Sequence, residues 1–163
     1  MKKEDYTDSQ EYYHTMEYKE KQLGLDNEKI NKLKEMHTEE YEGTLDLSDD
    51  NCFEKSIYRH IEVDKIVGYG NHNPLNWYEA LDNEVCHKPI SFKKYDKLSF
   101  SDYINSDKIN DPPSVIEKNG KYFIYGDGTH RLTIAKVTGC KTAFVIVHKC
   151  KNEHKLENVI TKE

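Results

Sequence analysis

The sequence predicts an α+β chain in which a helical amino-terminal arm precedes a small mixed sheet with helices. Three observations carry that expectation. Between Asp8 and Glu42 there is no proline, and apolar or aromatic residues recur at helical spacing. From Ser114 to His148, runs rich in Val, Ile, Phe and Tyr alternate with glycine-centred turns and one short helical pattern. Charge divides at about the same place: residues 1–55 hold 16 Asp/Glu against 8 Lys, a net of -8, whereas residues 56–163 carry a net of +2. The predicted organisation is therefore an acidic two-helix arm over residues 1–55 and an α/β domain over residues 56–163.

A chain of 163 residues is long enough for one core with an appendage and too short for two ordinary domains. Its apolar share of 36% is low for a globular chain, so part of it adds little to the core. The longest apolar run, Ala143 to Val147, is far too short to cross a bilayer, and Met1 to Tyr6 lacks the apolar segment of a secretory signal. These features lead us to expect a cytoplasmic protein. Cys52, Cys86, Cys140 and Cys150 are scattered, which favours reduced thiols over a disulfide scaffold.

In the arm, Tyr12, Met16 and Leu23 mark one helix, and Ile30, Leu33, Met36 and Tyr41 mark a second that would run from Asp26 to about Glu42. Gly24 joins them, Asp26 is a natural N-cap, and Gly43 is the expected terminator. Both apolar stripes are narrow, so this hairpin should lean on the rest of the fold or on a partner. Ser56 to Val67 reads as a strand feeding a turn, Gly68 to Pro74 as a loop, and Leu75 to Glu84 as a short helix around Trp77. The polar stretch Cys86 to Pro113 holds a further short helix from Ser99 to Ile104, with Ser99 or Ser101 as its cap.

Ser114 to Glu117 and Tyr122 to Tyr125 flank an Asn119-Gly120 turn, the strongest short-range signal for a β-hairpin. The second strand runs into Gly126-Asp-Gly-Thr-His-Arg131. Leu132, Ile134, Ala135 and Val137 then give a short buried helix that Gly139 can end, and Thr142 to His148 is another strand. The unit is β-β-α-β, with Thr129 placed to cap the helix.

A helix N-terminus reached through glycines presents backbone amides and the positive end of a dipole, which together suit an anion such as phosphate. Arg131 falls in that first turn and is one of two arginines in the chain, the other being Arg59. An arginine at such a mouth in a lysine-rich chain points to a need for a planar, bidentate donor. A plainer reading of the same residues is also open, with Gly-Asp-Gly a tight turn, His130 a turn side chain and Arg131 the partner of a carboxylate.

The run Gly126-Asp-Gly-Thr-His-Arg-Leu-Thr-Ile-Ala-Lys-Val-Thr-Gly139, followed by Lys141 to Val147, resembles the core motif of the ParB/sulfiredoxin-like superfamily. Ile61 to Gly68 is similar to that superfamily's opening strand, and the resemblance covers about residues 57–148. It implies a ParB/sulfiredoxin-like fold in which a hairpin delivers a Gly-x-x-(His/Arg)-Arg turn to a helix N-terminus that binds nucleotide phosphates. Thr129 stands where sulfiredoxins carry a cysteine, so sulfinic acid reduction is not expected. Chromosome-partitioning members follow the turn with a helix-turn-helix domain that is not expected here, so centromere binding is not expected either. The Asp-Gly-x-His-Arg form is closest to the free serine kinase branch and to small ParB-like nucleases.

What the resemblance implies is phosphoryl transfer, or hydrolysis of a nucleotide or phosphodiester, with ATP or CTP and Mg²⁺ as the expected cofactors and a nucleotide or phosphorylated small molecule as the partner. Gly126, Gly128, Thr129, His130 and Arg131 would hold phosphate oxygens. Asp127 would hold a divalent ion or accept a proton, His130 would share in the chemistry, and Glu62, Asp64 and His72 are the candidates for the remaining acid-base work.

The competing class is a non-catalytic inhibitor or adaptor, for instance of phage or mobile-element origin, using residues 1–55 to meet a protein partner. The acidic arm disfavours broad duplex DNA binding, which depends on lysine and arginine against phosphate. Cys140, His148, Cys150 and His154 are metal-ligand types, but their spacing lacks a Cys-x-x-Cys knuckle, and no structural zinc site is expected. Cys86-His87 gives no protease arrangement by spacing alone.

Overall fold

A computed structural model describes Tyr12 and residues 14–41, 53–87 and 96–150, although the side chains of 53–55 and of Cys150 lie outside the described set. The expected helix start at Asp8, the terminator Gly43, Cys52 and His154 also fall outside the described residues. Within them the chain is mixed α/β. Helices α1 (Met16–Leu23) and α2 (Asn27–Glu35) are followed by strands β1 (Glu39–Glu40), β2 (Phe53–Glu62) and β3 (Ile66–Tyr69). Helix α3 (Lys97–Ile104), the hairpin β4 (Ser114–Lys118) and β5 (Lys121–Ile124), helix α4 (Thr129–Val137) and strand β6 (Thr142–Cys150) complete the order.

The six strands form one sheet in the order β1-β3-β5-β4-β6-β2. The β4–β5 hairpin is antiparallel, as its Asn-Gly turn requires, with Asn119 at φ 53° and Gly120 at φ 79°. Helix α4 then carries the chain over to β6, which lies parallel to β4 and antiparallel to the long strand β2. At the other edge β1 and β3 run parallel to β5. That edge strand is only two glutamates long, which limits what an edge exposes to another chain.

Alternation along β6 decides the core. Ala143, Val145 and Val147 are all buried, and their β2 neighbours Ile61, Arg59 and Ile57 share that face. Val115, Tyr122 and Ile124 extend it across the hairpin, and Leu132, Ile134, Ala135 and Val137 of α4 pack onto it in the same cluster. Tyr12, Tyr18, Leu23 and Leu33 of the arm join that cluster, as does Trp77. The narrow stripes of the helical hairpin therefore lean on the sheet, each buried aliphatic side chain contributing roughly 1.5–3 kcal/mol.

Gly24 ends α1 in the left-handed region, and Asp26 caps α2 by accepting from the Lys29 amide at 2.9 Å. Helix α2 does not continue to Glu42 but stops at Glu35. Beyond it the backbone is captured by the loop ahead of Trp77: the Trp77 amide donates to Met36 O at 3.0 Å, and the Thr38 hydroxyl donates to Pro74 O. Tertiary pairing overrides helical spacing there and turns 39–40 into strand. The helix expected at Leu75–Glu84 is only a 3-10 turn at Glu79–Leu81. Helix α3 starts two residues early with Asp96 at the N-cap position, and Ser99 donates to the Asp96 carboxylate at 2.9 Å instead of capping the helix.

Candidate functional site

The turn Gly126–Arg131 is built by the strand that precedes it and by the start of β4. The Tyr125 amide donates to Ser114 O at 3.1 Å, and the Ser114 amide donates to Asp127 O at 3.2 Å, closing the turn against its own hairpin. Gly126 and Gly128 both take positive φ, 68° and 92°. At Gly128 the requirement is double, because a Cβ would also lie 2.4 Å from Cβ of Pro113. Gly128, not Thr129, is the N-cap residue. Thr129 is already helical, and its hydroxyl donates back to Gly126 O at 3.0 Å, which rigidifies the turn without satisfying a helix amide. The first intrahelical bond runs from the Leu132 amide to Gly128 O at 2.9 Å, so the amides of Thr129, His130 and Arg131 precede the ladder at the positive end of α4.

Two histidine rings meet at this end, and a third histidine lies within electrostatic range of one of them. The rings of His130 and His87 meet edge to face with centroids 5.1 Å apart. His72, edge-on to Tyr69 at 5.9 Å, is held below the ordinary histidine pKa by burial and by the neighbouring His87. They come from separate segments: His130 from α4, His72 from the loop after β3, and His87 from the loop after the 3-10 turn at Glu79–Leu81. Beneath them is a buried polar layer. The Tyr69 hydroxyl shares a 2.6 Å hydrogen bond with the Thr133 hydroxyl, which also bonds to Thr129 O at 2.7 Å. Cys86 bonds to Thr133, and burial pushes its thiol up to about 12, so it is a neutral, unreactive group at neutral pH.

The loop bearing His87 is fixed from below by the arm. Lys19 is fully buried, and its Nζ donates to Leu81 O at 2.6 Å, Asn83 Oδ1 at 2.9 Å and Cys86 O at 2.9 Å. An ammonium has three N–H donors, and one short loop accepts from all of them. Burial lowers the Lys19 pKa, while Cys86 and Asp82 oppose that shift.

Among the described residues Arg131 meets no carboxylate. Its Nη1 donates to Asp111 O at 2.7 Å and to the Tyr103 hydroxyl at 3.2 Å, tying α4 to α3 and to the segment before β4. Among the described residues its Nη2 and Nε have no acceptor, so one edge of the guanidinium remains for another ligand. The chain's other arginine, Arg59, donates to the Tyr122 hydroxyl and lies 3.7 Å from Glu117 on the inner sheet face.

Of the residues singled out in the sequence, Gly126, Asp127, Gly128, Thr129, His130 and Arg131 lie together in the turn, and His72 packs on Tyr69 within electrostatic range of His87. Asp127 is exposed there. Glu62 and Asp64 are not brought to this place. Glu62 pairs with Lys65 at 3.2 Å on the surface, and Asp64 lies by the C-terminal end of α4, where Lys136 Nζ reaches Val63 O and Asp64 O at 3.4 Å. A nine-residue helix, about 13 Å, separates that end from Thr129. Spacing did not single out His87, Lys19 or Thr133, because loop-to-helix contacts more than forty residues apart leave no periodic signature. Among the described residues no group of three His, Cys, Asp or Glu is arranged to hold a metal ion. No helix among them is long and apolar enough to cross a membrane. Compared with known proteins, the chain matches no family, no curated protein and no solved structure.

Proposed function

We propose that the Gly126–Arg131 turn and the N-terminus of α4 bind a phosphate group of a nucleotide or phosphorylated small molecule, as the resemblance to ParB/sulfiredoxin-like proteins implies. The observation that carries this reading is the contact of His87 with His130, from two separate segments, at the helix end that also bears Arg131. An imidazole N–H is a donor that a phosphate oxygen can accept from. The free edge of Arg131 supplies a planar fork for two phosphate oxygens, and the helix amides supply fixed dipoles.

The reaction class that fits is phosphoryl transfer or hydrolysis of a phosphate ester, in which positioning and charge neutralisation do most of the catalytic work. Glu62 and Asp64 lie too far away to take part. The acid-base roles fall to His130, His87 and the exposed carboxylate of Asp127. A magnesium ion brought by ATP or CTP would be held mainly by the phosphates, with Asp127 the one carboxylate in the turn.

The test is a thermal-shift panel of ATP, CTP, GTP, ADP and inorganic phosphate, each with and without Mg²⁺. A ligand at a hundred times its dissociation constant adds about 2.7 kcal/mol of stability, an easily read rise in Tm. No shift with any of them would overturn the proposal.

A further inference from the structure

At the opposite end of α4 a cleft of about 630 Å³ opens between that helix and the α1–α2 hairpin. Its size is that of an ordinary small-molecule site. Its charge is out of keeping with the rest of the molecule. Lys21, Lys29, Lys32, Lys97 and Lys136 line it against two carboxylates, Asp64 and Asp96. The lining thus carries a formal +3 in a chain of net charge -6.

Helix dipoles account for only part of this. The C-terminal ends of α1, α2 and α4 face the cleft, and at about half a charge each they leave a positive surplus. Nor do ion pairs account for it. The ammonium groups of Lys21, Lys32 and Lys97 make no hydrogen bond or ion pair with the described residues. Among the described residues Lys29 hydrogen-bonds only to Gly24 O, at 3.4 Å, and Lys136 only to the two carbonyls already named, while it lies 5.3 Å from the centre of the Trp77 ring and feels the Asp64 carboxylate electrostatically. The lining is apolar as well. Leu23, Leu33 and Val137 are buried in it, and Leu25, Met36 and Cys140 are half-buried. A surplus of positive charge around an apolar floor concentrates an anionic ligand.

We propose that this cleft is a second binding site, distinct from the α4 N-terminus, for a small organic polyanion: an apolar or aromatic body carrying two or more phosphate, sulfate or carboxylate groups. Lys21, Lys32 and Lys97 supply the charge, and Leu33, Met36 and Val137 receive the body. The site stands independently of the phosphate reading of the Gly126–Arg131 turn.

Pyranine, a trisulfonated hydroxypyrene without phosphate, is a suitable probe, with inorganic tripolyphosphate as the matched anion lacking an apolar body. Calorimetric titration of the full chain should show pyranine binding. The double reversal Lys21→Glu with Lys32→Glu, at two exposed positions, should weaken it about tenfold or more, whereas Arg131→Ala should leave it within about twofold. Bound pyranine should also slow iodoacetamide labelling of Cys140, read by peptide mass spectrometry, because that thiol lines the cleft. Absence of binding, or binding untouched by the lysine reversals, would overturn the proposal. Loss on Arg131→Ala would move the anion to the other end of the helix and overturn it equally, and tripolyphosphate binding as tightly as pyranine would remove the apolar body from it. Failure of the nucleotide panel alongside success here would reject the turn and keep the cleft.

Discussion

Lys19 and Cys86 are joined by a 2.9 Å hydrogen bond from the buried ammonium to the backbone carbonyl, and the next residue, His87, stands edge-on to His130. The arm thereby sets the position of a histidine at the mouth of α4. Lys19→Met should leave Leu81 O and Cys86 O buried without that donor, at roughly 1–3 kcal/mol for each group. We expect a fall in urea midpoint of that order. In a folded Lys19→Met protein, the imidazole NMR chemical shifts of His87 and His130 should also move, because the loop that carries His87 loses its anchor. Unchanged imidazole signals would confine Lys19 to stability alone.

Arg131 separates two contributions. Loss of its bonds to Asp111 O and the Tyr103 hydroxyl, both exposed, should lower stability by only about 1 kcal/mol in Arg131→Ala. Loss of the guanidinium fork should weaken phosphate or nucleotide binding roughly ten- to hundred-fold, with Arg131→Lys intermediate. Affinity that follows stability in proportion across the two variants would show that the arginine acts only as a clamp.

The two glycines of the turn should not be equivalent. Gly126→Ala meets open space and bears only the strain of positive φ, about 1 kcal/mol. Gly128→Ala adds a collision with Pro113 and should exceed 2 kcal/mol, with visible displacement of the helix start. Equal unfolding free energies for the two variants would contradict the packing of Gly128 on Pro113.

Acid should weaken the fold and strengthen the anion site over the same range. His72 and His148 are both held below the model-peptide value of 6.5, chiefly by burial. Because the folded state disfavours their protonated forms, stability is greatest above about pH 6.5 and falls as pH drops through their folded pKa values. His72→Gln should flatten part of that slope. Phosphate binding favours the protonated imidazoles, so affinity should rise as pH falls while the unfolding free energy declines. Parallel pH trends in chemical denaturation and phosphate titration would contradict this account.

The sequence made the hairpin, the glycine turn and α4 legible because each rests on local chemistry: Asn119-Gly120, two glycines forced to positive φ, and a short apolar pattern. The same holds for Gly24 and the Asp26 cap. The end of α2 was not legible, since its continuation is decided by Pro74 and Trp77, more than thirty residues away. Thr129 has the residue type of a cap, yet the left-handed geometry of Gly128 moves the helix start forward by one. At the site, Arg131 and His130 could be read from the motif, whereas His87 is placed by a lysine in another element. Glu62 and Asp64 were reasonable by residue type and fall at the wrong end of a helix, because β2 ends at Glu62 and the 3-10 turn Val63–Lys65 that follows, which holds Asp64, lies beside the C-terminus of α4.

The β2–β6 ladder pairs Phe53 with Cys150 and Ile57 with Val147, and β6 lies between β2 and the hairpin. During synthesis, β2 leaves the ribosome with no neighbour to pair with and has to wait for about 80 more residues before β6 begins to emerge. Until then its exposed strand groups and the uncovered hairpin stay open to other chains, the regime in which folding is slow and misassembly competes. A premature stop before β6 would leave not a smaller sheet but two disconnected pieces, with β2 stranded from β4 and β5.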